Sequence, residues 1–163
     1  MNIALIIIDM QEIYLRQVDA ARVESACEYI NHVAAMVRSS NQLVVHVQDV
    51  DGMDETNQEL YATVPGVRME SSDLVVTKLY SNSFWQTELE QLLRDHQIDF
   101  VVISGFAMEH CVLFTYNGAI ERGFTPALLQ RGVLSEHVDS IAAAYRDRHV
   151  VSHPAIKLML KNS

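Results

Sequence analysis

The sequence predicts a single α/β domain, residues 1–163, in which a parallel sheet carries helices on both faces in a Rossmann-like three-layer α/β/α arrangement. Three observations predict it. Short apolar runs of strand length alternate along the chain with longer amphipathic stretches, the order expected of successive strand–helix–strand units. The first run, Ile3-Ala4-Leu5-Ile6-Ile7-Ile8, is apolar at every position, which is how a strand buried on both faces reads. The 163 residues, 49% hydrophobic with 6 Gly and 3 Pro, suffice for one core and show neither internal repeat nor linker.

After the first strand, Val23, Ala26, Cys27, Ile30, Val33, Ala34 and Val37 recur at three- and four-residue spacing, predicting a helix with one buried stripe. A second strand is expected over 43–47. Residues 48–73 are polar, with Gly52, Pro65 and Gly66, and read as a loop with one short helix. A third strand follows over 74–77. Ser83 with Gln86 three residues on resembles a capping box, opening a helix through Leu89, Leu92 and Leu93. Residues 100–104 read as a strand that Gly105 ends, and the helix after it is stopped by Gly123, suited to the left-handed C′ position. A strand over 124–129, a helix over 141–148, an edge strand at 150–151 and a last helix opened by Pro154 complete the order.

Charge removes several function classes. Twelve Lys+Arg against 21 Asp+Glu give a net charge of −9, so neither nucleic acid nor an anionic membrane surface is an expected partner. The apolar start ends at Asp9 with no basic residue ahead of it, too short for a membrane span and wrongly flanked for a signal peptide. Two cysteines, Cys27 and Cys111, form no disulfide framework and have no C-x-x-C spacing for zinc. The expected location is the cytoplasm, and the expected partner is a small-molecule substrate.

In an open parallel sheet, ligands bind beyond the carboxyl ends of the strands. Asp9 directly follows the first strand, Lys78 follows the third, and Cys111 lies six residues past Gly105. A thiol at a helix start and beside a cation is expected to have a lowered pKa. From position alone Cys111 is open between that reactive thiol and a packing residue, whereas Cys27 sits on an apolar helix face and reads as packing. Asp9, entering the sheet edge with little water around it, is open between a cap and a proton acceptor whose pKa burial raises and Lys78 lowers. Lys78 taken singly reads as solvated.

The local sequences around these residues decide between the alternatives. Ala4-Leu5-Ile6-Ile7-Ile8-Asp9-Met10-Gln11 ends an apolar strand in D-x-Q. Val75-Val76-Thr77-Lys78 is followed by Asn82-Ser83-Phe84 and Thr87-Glu88-Leu89. Ser104-Gly105-Phe106-Ala107-Met108-Glu109-His110-Cys111-Val112 precedes Thr115. In this order and spacing the chain resembles the isochorismatase-like cysteine hydrolases, the family that includes nicotinamidases. The resemblance implies a six-stranded parallel sheet and a triad in which Cys111 is the nucleophile, Asp9 the general base and Lys78 the cation supporting the thiolate. It further implies a cis peptide at Phe106–Ala107 that turns the backbone N–H groups of Ala107 and Cys111 toward an oxyanion. Met108 departs from the threonine common in the family, which touches local hydrogen bonding and not the triad.

Related nicotinamidases hold a metal through Asp-x-His after the second strand and a further histidine. Here the run is Asp49-Val50-Asp51, and no histidine lies between His46 and His96. Asp49 and Asp51 are the candidate ligands, the third is missing, and no metal or other cofactor is expected. Tyr14, Phe106 and His110 are the candidate substrate-binding residues, while Phe84, Trp85 and Phe114 read as core or interface. The expected activity is hydrolysis of a small carboxamide or related C–N bond through a thioester. Isochorismatase-type hydrolysis of a vinyl ether, which needs no cysteine, and a catalytically idle binding or assembly module are the alternatives. A homo-oligomer, dimer or tetramer, is expected from the resemblance.

Overall fold

The computed structural model describes residues 1–161. Its centre is β1 (Ile3–Ile8), every residue of which is buried. Ile3, Leu5 and Ile7 enter one hydrophobic cluster and Ala4, Ile6 and Ile8 the other, so the unbroken apolar run is a strand sealed on both faces. It is flanked by β2 (Leu43–Asp49) and β4 (Phe100–Gly105). β3 (Leu74–Lys78), β5 (Thr125–Val133) and β6 (Val150–Val151) complete a six-stranded, all-parallel sheet of order β3-β2-β1-β4-β5-β6.

The short α1 (Glu12–Leu15) precedes α2 (Ala20–Ser39), whose N-cap Asp19 accepts from the Arg22 N–H. The buried stripe of α2 is Ala26, Cys27, Ile30, Val33, Ala34 and Val37, the set its spacing predicts. Together with α6 (His153–Lys161) it covers one face; α3 (Leu89–Asp95), α4 (Leu113–Glu121) and α5 (Val138–Asp147) lie on the other. Among the described residues no helix is long and apolar enough to cross a membrane.

The strand order reverses between β1 and β4, and a glycine allows the close approach there. Gly105 has φ +110°, and a Cβ on it would lie 2.0 Å from the Ile8 carbonyl oxygen. Gly105→Ala therefore combines a backbone clash with a disfavoured dihedral. It is expected to cost about 4 kcal/mol or more, read as a fall of about 10 °C in Tm. A fall under about 2 °C would show that the β1–β4 crevice is slacker than this geometry.

Three local expectations are corrected. Ser83 and Gln86 form no capping box: α3 starts at Leu89, six residues after Ser83, and Gln86 has φ 54°. Tertiary bonds claim Ser83 instead, its N–H donating to Thr115 Oγ1 and its hydroxyl accepting from Thr115, which ties this segment to α4. The strand expected over 124–129 runs on to Val133, through Arg131 in the left-handed region, and delivers the Leu134 N–H to the Gly105 carbonyl at 2.8 Å. The single helix expected after Gly105 is in fact a π-helical turn, Met108–Val112, before α4, with His110 outside helical dihedrals.

Candidate active site

At the carboxyl ends of the strands the chain gathers four polar side chains. Asp9 follows β1 in the left-handed region, φ 50°, which Asp tolerates better than a bulky residue. The turn is pinned by its own N–H donating to Val47 O and by Gln11 N–H donating to Asp9 O. Gln11 is fully buried; its amide donates to the carbonyls of Asp49 and Tyr61 and accepts from the Asp49 N–H. That clamp fixes the end of β2, where Asp49 stands in register opposite Lys78 of β3.

Lys78 is the hub. Its Nζ lies 2.9 Å from Asp9 Oδ2, 2.8 Å from Asp49 Oδ2 and 3.4 Å from Cys111 Sγ, and its side chain is fully buried. Asp49 Oδ1 accepts from the Asp51 N–H, whereas Asp9 Oδ1 is buried with no hydrogen-bond partner among the described residues. Cys111 reaches this cluster from the π-helical turn. That turn follows a cis peptide at Phe106–Ala107, the bond the sequence resemblance implies, and closes through bonds from the His110 and Val112 N–H groups to Ala107 O.

Burial dominates the electrostatics. It pushes the Asp9 carboxyl up to about 6, against the lowering effects of the Lys78 charge and of contacts with Cys111 and Lys78. Lys78 moves above its ordinary value, because the charges of Asp9 and Cys111 and the bonds to both carboxylates outweigh its own burial. Cys111 is pushed up to about 12, first by burial and then by the Asp9 charge, with Lys78 opposing. This corrects the expectation of a lowered thiol pKa. The helix-start and lysine effects operate in a dry site where a carboxylate touches the same ammonium. At neutral pH the resting pair is a thiol beside a carboxylate.

The remaining site candidates divide. Tyr14 stacks on Phe106, centroids 6.3 Å apart, and meets Tyr61 edge-on at 6.5 Å. Burial, then the charges of Asp49 and Asp9, raise its phenol pKa. His110 is exposed. Phe84 is buried against Phe124, whereas Trp85 and Phe114 are exposed. Cys27 is buried in the core beneath α2.

The metal reading meets an obstacle. Ligand atoms of Asp9, Asp49 and Cys111 all lie within 4.8 Å of one another, but the Lys78 ammonium already contacts all three residues. An ion at that centre has to displace a buried cation. Asp51 is exposed and offers Asp49 only its backbone N–H, and His46 is bonded to Asp73. These residues do not fit a resident zinc-type site. Sequence reasoning weighed Asp49 only as a ligand and missed it as the second anion on Lys78. The two residues come into register only because β2 and β3 run on to Asp49 and Lys78, past the strand ends expected from sequence. Sequence reasoning also assigned no role to Gln11, a polar residue two positions past a buried strand.

Comparison with known proteins places this arrangement. The isochorismatase domain family model matches residues 3–153. An uncharacterised isochorismatase family protein, YrdC, of Bacillus subtilis is 28% identical over 131 residues, covering 77% of this chain and 70% of the relative. Maleamate amidohydrolase of Pseudomonas putida is 27% identical over 158 residues, 83% of this chain and 74% of that protein. The crystal structure of an isochorismatase-like hydrolase from Alkaliphilus metalliredigens superposes with a TM-score of 0.84 at 18% identity, over 98% of this chain and 99% of its own. With the family model spanning all six strands, the chain belongs to the isochorismatase family of hydrolases.

Proposed function

We propose that this chain hydrolyses a small carboxamide or related C–N substrate through a thioester on Cys111, with Asp9 as the base. One observation carries the reading: the buried Lys78 ammonium touches both Asp9 and the Cys111 sulfur, while the second Asp9 oxygen is left unpartnered. The amide-hydrolysing activity in the name of the Pseudomonas putida relative supports it.

In this mechanism Asp9 takes the Cys111 proton as sulfur bonds to the carbonyl carbon, and the carbonyl π electrons move onto oxygen. Lys78 offsets the charge that passes from Asp9 to sulfur. The N–H groups of Ala107 and Cys111 hold the oxyanion. Collapse breaks the C–N bond, and the nitrogen leaves with the proton from Asp9. Water then gives a proton to the same carboxylate and attacks the thioester, releasing the acid and restoring the thiol. Because the thiol is deprotonated during attack and not beforehand, a raised thiol pKa is compatible with catalysis provided the base is ionised.

That requirement sets the pH profile. Asp9 accepts a proton only as carboxylate, so kcat/KM falls by about tenfold per pH unit below about 6 and is flat above it. A steady-state pH series checks this; an acid limb centred near about 4, the value of an ordinary carboxylate, excludes Asp9 as the base.

We also propose a homo-oligomer. Leu79, Tyr80 and Trp85 are exposed on the segment that crosses α4 at Gly118, and Phe114 is exposed on α4 itself. Light scattering at working concentration reads it, and a monomer mass overturns it.

The activity is tested by ammonia release from a panel of small primary carboxamides. Release by the wild type and none by Cys111→Ala supports the reading. Equal release by the alanine variant overturns the cysteine mechanism, and no release by either favours an idle binding module.

A further inference from the structure

The donors and acceptors around Cys111 are unequally spent. An ammonium has three N–H donors. Those of Lys78 go to Asp9 Oδ2, Asp49 Oδ2 and Cys111 Sγ, so the one cation in contact with the sulfur has none to offer a ligand. Two carboxylates against one ammonium leave the cluster with a net negative charge, in a place where burial weakens screening. Of the three buried side-chain atoms without a hydrogen-bond partner among the described residues, Asp9 Oδ1 is the one that belongs to this cluster, and it is an acceptor. A group presented to it must be a donor, which an amide nitrogen is and a carboxylate is not. Among the described residues, neither Arg22 of α2 nor Arg16, which follows α1, pairs with Asp9 or Asp49. Arg22 donates to Ser135 O at 2.8 Å, and Arg16 lines a separate hollow together with Glu12, Glu24 and Glu28.

We infer that the site selects its substrate by charge: it admits uncharged or cationic primary carboxamides and rejects those carrying a carboxylate next to the scissile carbonyl. This rests on the reading of Cys111 as a nucleophile toward amides. The amide nitrogen satisfies Asp9 Oδ1, while a neighbouring carboxylate faces two anions whose shared cation has its three donors engaged. Phe106, whose N–H donates to the Ile8 carbonyl one residue before Asp9, stacks on Tyr14, and such rings offer π faces that favour a flat neutral group or a cation over an anion.

The selection is measurable without knowing the substrate. Iodoacetamide and iodoacetate differ only in replacing a neutral primary amide by a carboxylate, and both alkylate a thiol with loss of iodide. The full chain is treated with each at neutral pH, labelling of the Cys111 peptide is followed by mass spectrometry, and both rates are divided by those for free cysteine. The corrected preference for iodoacetamide is expected to be about tenfold or more, the reach of a focused site charge on encounter with an anion. In Asp49→Asn, which removes one negative charge and loosens one Lys78 contact, it falls toward the free-cysteine value.

A corrected ratio near one, or a preference for iodoacetate, overturns charge selection. It leaves the hydrolase reading to be judged by ammonia release. Labelling by neither reagent overturns the selection and, with it, Cys111 as a reachable nucleophile. Should Asp49→Asn fail to fold, the wild-type ratio decides alone.

Discussion

Lys78→Met is expected to lower stability at neutral pH by about 3–5 kcal/mol, the range for removing one partner from a buried ion cluster. Methionine replaces the aliphatic stem but not the ammonium, so Asp9 and Asp49 face each other, buried, without their shared cation. For a chain of this size the loss reads as a fall of about 10 °C in Tm. The deficit has a predictable pH dependence. Without the ammonium both carboxylates bind protons more readily folded than unfolded, so the stability of the variant recovers as pH falls toward about 5. Activity falls with it, by about a thousandfold, because a protonated Asp9 cannot accept the thiol proton. Thermal unfolding at two pH values checks the structural half. A loss under about 1 kcal/mol, the range of an exposed ion pair, would mean that water screens the cluster.

Asp9→Asn is expected to separate activity from stability. Turnover drops by about a thousandfold, within the range for losing a positioned base. Stability, however, rises. The folded pKa of Asp9 stands at about 6, above its ordinary value, because burial disfavours the charge. A carboxyl raised on folding contributes stability below its unfolded pKa and loses it as pH climbs through the folded value. From about pH 4 to 6 the wild type therefore pays a growing penalty that asparagine does not. At neutral pH the variant is expected to be more stable by about 1–3 kcal/mol, with Lys78 still paired to Asp49. Denaturant titration of both proteins at neutral pH and near about pH 4 tests it. A variant less stable at neutral pH, or equal activity, contradicts the role assigned to Asp9.

Much of this was legible along the chain. The unbroken run from Ile3 to Ile8 reads as a two-faced strand because burial on both sides removes alternation, and it lies at the centre of the sheet. Asp9, Lys78 and Cys111 drew attention by following strands, the resemblance of their local sequences to a known family singled them out as a set, and the structure brings all three together. What escaped depends on pairing across the fold. Asp49 became the partner of Lys78 only through the β2–β3 register, which spacing along the chain does not carry. Ser83 has the local signature of a helix start, but Thr115, thirty-two positions away, makes the better hydrogen bonds. The Cys111 thiol was read from an expected helix start and from Lys78, while its raised pKa comes from burial and from the Asp9 carboxylate, which outweigh the lysine. The end of β5 was hidden because polar Gln130 and Arg131 interrupt its apolar pattern.

The most direct test is the mass of the chain quenched in acid during steady turnover of a primary carboxamide. The account predicts a species heavier by the acyl group, with the addition mapping to the peptide that holds Cys111 and absent from Cys111→Ala. A chain that carries its acyl group elsewhere, or stays at its bare mass while the alanine variant makes product at the same rate, would contradict it.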